Sequence, residues 1–254
     1  MHVDLKPLRR LKKRKRRLLA VFAHPDDESY GCAGALARAG ADRDAAVVLV
    51  CLTSGEASTV LAARGLALEE IRDLREDRMV RVKRRLGVDL LLLPRFPDGR
   101  LAREPLHAVG GLVRSVVETL EPQVVVTQDP RGVNGHPDHI AAHWAVRHAL
   151  EADGAGRPGS GRPRLASIVY RTEVAELVKP RLLFPTAEEE IDAVVRLDER
   201  EIQAKEDCLA IHEAIVTLRE LGEADVGTKS HRPPIETYDF LGEDRSPPVQ
   251  DLFA

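Results

Sequence analysis

Apolar residues along this chain come in short unbroken runs separated by longer mixed stretches. LLAVFA (18–23), AAVVLVCLT (45–53), VDLLLLP (88–94) and QVVVTQ (123–128) are continuous rather than alternating. Such runs are expected of strands buried on both faces. Pro94 stops the third. Between them lie segments with helical spacing. GCAGALARAG (31–40) carries small apolar residues and ends at Gly40, a candidate helix stop. Residues 66–86 set Leu66, Ile71, Leu74, Val82 and Leu86 on one side of a charged helix. A helix opening near Pro105 runs over 105–119, and another over 137–150.

Strand and helix alternate with short connections. This predicts an α/β fold: a Rossmann-like three-layer sandwich with a mostly parallel sheet, in a single domain. GAGRPGSGRPR (154–164) reads as a flexible surface loop. Strands over 165–171 and 191–197 and a helix over 198–221 follow. Residues 222–254 hold several prolines and little periodicity, and are expected to wrap the body as an irregular tail.

With 254 residues, the chain is long enough to bury a core without disulfide or metal support. Cys32, Cys51 and Cys208 are far apart and odd in number, so they read as small buried hydrophobes in a reducing compartment. Net charge is −3, although residues 6–17 alone carry nine Lys/Arg and no acid. Because the rest of the chain offsets that run, residues 1–17 are expected to be a mobile, solvated arm. The arm allows a weak, salt-sensitive contact with an anionic surface but no specific nucleic-acid partner. No apolar run approaches the ~20 residues of a membrane span, and no secretory signal is present, which points to the cytoplasm. A homo-oligomer stays open.

The unusual polar clusters follow the strands: AHPDDE (23–28), TSGE (53–56), RFPDGR (95–100) and DPRGVNGHPDH (129–139). Ligands of open α/β sheets bind beyond the carboxyl ends of the strands, so these clusters define one candidate site. His24, Asp26, Asp27 and Glu28 crowd like charges into five residues, a cost that a bound cation would offset. An isolated Asp pair would more simply cap the next helix. His136, Asp138 and His139 form a second cluster, but His143 is also on the face of His139. Spacing alone admits both the His136/His139 and the His139/His143 pairing. Two histidines and one carboxylate make a frequent catalytic zinc set with one position open to water. The lack of thiolates suits Zn2+ or Fe2+. No GxSxG or Walker-type phosphate loop appears.

AHPDDE after a buried strand, then GCAG (31–34), LTSGE (52–56), FPDG (96–99) and GHPDH (135–139), resembles the PIG-L/LmbE-like N-deacetylases over residues 18–150. The resemblance implies a zinc-dependent hydrolase acting on an N-acyl amino-sugar conjugate. It implies His24, Asp27 and His139 as metal ligands and Asp26 as general base. His136 would support the oxyanion or protonate the leaving amine, with Asp138 orienting it. Asp98 would touch sugar hydroxyls. Arg75 is a weaker carry-over, since Arg78 stands where the family's R-x-x-E pattern expects Glu, and a surface salt bridge is the simpler role for Arg75. Lys205 and His212 match part of a late motif whose Gln is absent, leaving His212 as a candidate substrate contact.

Two other functions fit the same residues. A metal-dependent phosphoesterase usually needs two metals, whereas three convincing ligands suffice for one. A non-catalytic carbohydrate-binding protein on this fold would need neither Asp26 nor His136, and both are present.

Overall fold

The computed structural model describes residues 4–151, 163–177, 183–213, 235–243 and 245–254. The elements are α1 (Leu8–Leu11), β1 (Arg16–Phe22), α2 (Asp27–Gly31), α3 (Ala33–Ala41), β2 (Ala45–Cys51), α4 (Thr59–Ala63), α5 (Leu68–Leu86), β3 (Leu90–Leu92), α6 (Leu106–Leu120), β4 (Val124–Gln128), α7 (Gly132–Gly135) and α8 (Pro137–Glu151). They continue with β5 (Arg164–Arg171), α9 (Thr172–Leu177), β6 (Pro185–Thr186), β7 (Ala193–Arg196), α10 (Glu199–Ile211) and β8 (Ile235–Phe240).

The main sheet runs β3-β2-β1-β4-β5-β8-β7, with β6 paired to β5. β1 to β6 pair in parallel, while β8 is antiparallel to both β5 and β7. Alternate residues of β1 feed two cores. Leu18, Ala20 and Phe22 pack with residues of α3, α5 and α10. Leu19 and Val21 pack with residues of α6 and α8. The sheet is covered on both faces, which is why its strands read as unbroken apolar runs. The expected three-layer, mostly parallel α/β architecture is what the chain adopts.

β1 lies between β2 and β4. The chain leaves β1 in one direction along the sheet, then returns to start β4 on its other side. This is a topological switch point, where the carboxyl ends of adjacent strands part and leave a crevice.

Three expectations need correcting. The basic segment is not a free arm: Leu8 is fully buried and Leu5 and Leu11 pack beside it, a three-residue stripe hidden within the charge run. Several of its charges are also matched, Lys12 with Glu121, Lys15 with Asp44 and Arg16 with Asp42. The C-terminal segment is not all irregular, since β8 is an interior strand of the sheet. Its Glu236 is buried because Gly34 and Ala35 donate backbone N–H bonds to it (both 2.9 Å) and Lys205 pairs with it at 2.8 Å. Gly40 does not stop its helix, which runs on to Ala41. The expected loop at 154–164 lies outside the described residues up to 162, and Arg164 already belongs to β5. The helix expected over 198–221 is described only as far as Ile211. All three cysteines are buried and free. No described helix is long and apolar enough to cross a membrane.

Gly40 marks where α3 meets the end of α5. A Cβ there would sit 2.2 Å from the Leu86 carbonyl oxygen, whereas one on Gly111 of α6 would meet nothing within 4 Å. Gly40→Ala should therefore lower unfolding free energy by about 1–3 kcal/mol. Gly111→Ala should raise it by roughly 0.5–1 kcal/mol. Urea unfolding of both variants checks the pair.

Candidate active site

The crevice at the switch point collects the polar clusters. It forms a cleft of ≈ 520 Å³ whose walls include His24, Asp26, Asp27, Asp98, His136 and His139. His24 and Asp27 follow β1 and stand at the start of α2. His139 stands in the first turn of α8, which Pro137 opens.

Donor atoms of three residues come together. His24 Nδ1 lies 3.1 Å from His139 Nε2. Asp27 Oδ1 lies 3.1 Å from His139 Nε2, and Asp27 Oδ2 lies 3.7 Å from His24 Nδ1. Donor atoms around a tetrahedral zinc with bonds of about 2.0–2.1 Å stand about 3.3–3.4 Å apart.

Each ring is fixed from its far side. His139 Nδ1 is 3.1 Å from the Gly132 carbonyl oxygen, which can only accept. Nδ1 must carry the proton, and Nε2 faces inward with a lone pair. His24 Nε2 is 3.1 Å from Asp98 Oδ1 and 3.4 Å from Asp138 Oδ2. In a neutral ring its proton belongs there, and Nδ1 also presents a lone pair. Two ring lone pairs and a carboxylate thus face one another, an arrangement that calls for a cation. A divalent ion with nitrogen and oxygen ligands fits this donor set. Without one, a proton is the smallest cation that serves. Burial opposes the charge on His24, but the bonds from Asp138 and Asp98 and the charge of Asp27 push its pKa up to about 10. Burial likewise opposes the Asp27 carboxylate, yet His139 and His24 hold its pKa well below the usual range.

Among the described residues, two groups bring one donor atom from each member within 4.8 Å of one another: His24 with His136 and His139, and His24 with Asp98 and Asp138. In the second group the carboxylates sit on the N–H side of His24, so a proton already satisfies it. His136 stacks edge-on against His24 at 4.7 Å between ring centres. Burial, then the neighbouring His24 and His139, lower its pKa to about 4. His136 Nδ1 accepts the Asp138 backbone N–H at 3.2 Å, which leaves the proton on Nε2.

Asp26 has φ 106° and ψ −23°, a conformation that a residue with a side chain rarely adopts. Such a backbone costs on the order of 1–3 kcal/mol and persists only where its surroundings enforce it. Arg75 supplies one restraint. Its guanidinium donates to the carbonyls of Pro25 and Gly55 and lies 3.2 Å from Asp26 Oδ2. Burial, opposed by Arg75, raises the Asp26 pKa, and the charge of Asp27 adds to the rise.

Several residues stand elsewhere than the sequence suggested. Arg75 is no surface residue but a clasp on the Asp26 loop. Asp98 lines the cleft, and its oxygens also meet His24 Nε2 and the Ala57 N–H at 2.8 Å. The Asp138 carboxylate braces His24 and accepts the Gly99 N–H at 2.8 Å, and touches His136 only through its backbone. His212 does not line the cleft; it is buried 3.0 Å from Glu28. The open pairing resolves to His136/His139, both of which line the cleft, whereas His143 Nδ1 is spent on the Gln128 carbonyl at 2.8 Å. Sequence reading missed Gln128, whose side chain donates to Asp27 Oδ2 at 2.7 Å. Its place at the carboxyl end of β4 was the available signal.

The family model described as PIG-L, GlcNAc-PI de-N-acetylase, matches residues 19–150. The chain is 39% identical over 197 residues to the 1D-myo-inositol 2-acetamido-2-deoxy-alpha-D-glucopyranoside deacetylase of Streptomyces avermitilis, across 68% of this chain and 64% of that one. It is 33% identical over 172 residues to a Bacillus anthracis protein named probable N-acetyl-alpha-D-glucosaminyl L-malate deacetylase 2, across 67% of this chain and 74% of that one. The chain spans less than two thirds of several curated relatives it matches: 64%, 61% and 56% of three inositol-linked deacetylases. The N,N'-diacetylchitobiose deacetylase of Pyrococcus horikoshii shares the fold, with a TM-score of 0.65 at 18% identity over 94% of this chain and 87% of that one.

The Gln128 side chain should matter for metal binding as an outer partner of Asp27. Gln128→Ala is expected to weaken zinc binding about 10–100-fold, and His139→Ala to abolish it. Competition with a chromogenic chelator measures both. Unchanged affinity in Gln128→Ala would mean that Asp27 needs no orientation from β4.

Proposed function

The chain belongs to the PIG-L family, and on that premise we propose that it is a metal-dependent N-deacetylase. It would hydrolyse the N-acyl amide, N-acetyl in the simplest case, of an amino-sugar conjugate, a substrate class carried over from the names of its relatives. The observation that carries the proposal is the convergence of His24 Nδ1, Asp27 and His139 Nε2 beside Asp26 and His136 in one cleft.

His24, Asp27 and His139 would hold one divalent ion, zinc in the first instance, with iron(II) compatible with the same donors. Such an ion polarises an amide carbonyl and makes water nucleophilic at neutral pH. Asp26 lines the cleft and, in this reading, takes the proton of the attacking water. Its raised proton affinity suits that task. His136 turns Nε2–H away from its Nδ1 contact with Asp138. It would donate to the carbonyl oxygen as negative charge grows there, a contribution worth about 3 kcal/mol for a comparable donor. The proton held by Asp26 then passes to the departing amine nitrogen. Asp98 and Asp138 hold the His24 ring throughout.

Zinc-loaded protein should release primary amine from at least one member of a panel of N-acetylglucosamine conjugates. Asp26→Asn should keep its zinc and lose about 10²–10⁴-fold in turnover. A zinc-loaded wild type that releases amine from no panel member, or an Asp26→Asn variant as active as the parent, would contradict the proposal.

A further inference from the structure

Asp26 needs more than Arg75 to hold its backbone, and the rest of the restraint comes from residues that the proposed chemistry leaves unused. Glu28 is fully buried at the start of α2. Its Oε2 accepts the Asp26 backbone N–H at 3.2 Å. Its Oε1 accepts the Ser29 hydroxyl at 2.5 Å and His212 Nε2 at 3.0 Å. His212 ends α10 and is 5% exposed. Its carbonyl accepts Arg78 Nη1 at 3.1 Å, and Arg78 also pairs with Glu213 at 2.9 Å.

Arg75 and Arg78 are three residues apart on α5, so they project from one face. Arg75 grips the loop directly at Pro25 and Asp26. Arg78 grips it at one remove, through His212 and Glu28. A buried carboxylate placed on a single backbone N–H, and held by its own side-chain hydrogen-bond partner, over-determines the turn that it touches.

We infer that Glu28 and His212 are positioning residues, which together with Arg78 hold the Asp26 backbone in its left-handed conformation and so present the base to the cleft. The inference rests on Asp26 serving as the base of the proposed reaction. The strain at Asp26 is maintained from α10, an element that contributes no donor to the metal-binding cluster. His212 thereby acquires a role that does not require the Gln missing from its motif.

Glu28→Gln, His212→Ala and His212→Gln test it. Glutamine at 28 offers only one accepting oxygen, and with His212 Nε2 donating, as it does to the carboxylate, that oxygen can serve Asp26 or His212 but not both. Glutamine at 212 keeps a donor at the reach of the histidine Nε2. Glu28→Gln and His212→Ala should lower kcat by about 10–100-fold, since a misplacement of about 1 Å costs on the order of 10²-fold. KM and one zinc per chain should be retained. His212→Gln should restore kcat to within about threefold of wild type. Hydrogen exchange at the Asp26 amide, followed by NMR, is read beside turnover and should be faster in the first two variants only. An Asp26 amide as slow in Glu28→Gln as in wild type would overturn the inference, as would unchanged kcat in folded, zinc-loaded Glu28→Gln. Should wild type release no amine while the Asp26 amide still loosens in both variants, the deacetylase proposal falls and the clamp on the Asp26 backbone stands.

Discussion

Everything in this site depends on two imidazole lone pairs and a carboxylate being made to face one another. Left alone, such donors repel and would turn away. They do not turn because each is held from behind: His139 by the Gly132 carbonyl, His24 by Asp98 and Asp138, Asp27 by the Gln128 amide. The protein therefore bears the cost of assembly in advance, and a cation entering the cleft meets donors already aimed. The raised proton affinity of His24 is the same preorganisation expressed in protons.

The fold makes that preorganisation economical. β1 and β4 are adjacent parallel strands whose following segments run to different parts of the sheet. The gap between their carboxyl ends receives His24 and Asp27 from one side, and Gln128 and His139 from the other. Loops after β2 and β3 add Gly55 and Asp98, which reach across to Arg75 and His24. Helices α5 and α10 pack behind this layer and carry the residues that restrain Asp26. A strained backbone at one residue is tolerable here because Arg75 and the buried Glu28 hold the turn from the protein side.

Much of this was legible in the chain. LLAVFA reads as a doubly buried strand because both faces meet helices, and the AHPDDE and HPDH clusters announce themselves by crowding acids and histidines. What was hidden shares a physical cause: the partner lies far away in sequence or is a backbone atom. IETYDF (235–240) does not look like a strand because Glu236 interrupts it, and nothing nearby reveals that the N-terminus of α3 and Lys205 neutralise that charge. Arg75 looks like a surface residue because its main partners are the carbonyls of Pro25 and Gly55, which leave no mark in the letters. Leu8 is lost in a run of lysines and arginines, although its burial against the α6–α8 side pins that run to the body. Asp98 and Asp138 were assigned to substrate and to His136 by resemblance, and only their distances assign them to His24.

The most direct test of the central claim is anomalous diffraction at the zinc edge from crystals of the zinc-loaded protein. A single ion about 2.0–2.1 Å from His24 Nδ1, an Asp27 oxygen and His139 Nε2 is the result expected. An ion bound instead between His24, Asp98 and Asp138, or no ion in the cleft at saturating zinc, would contradict it.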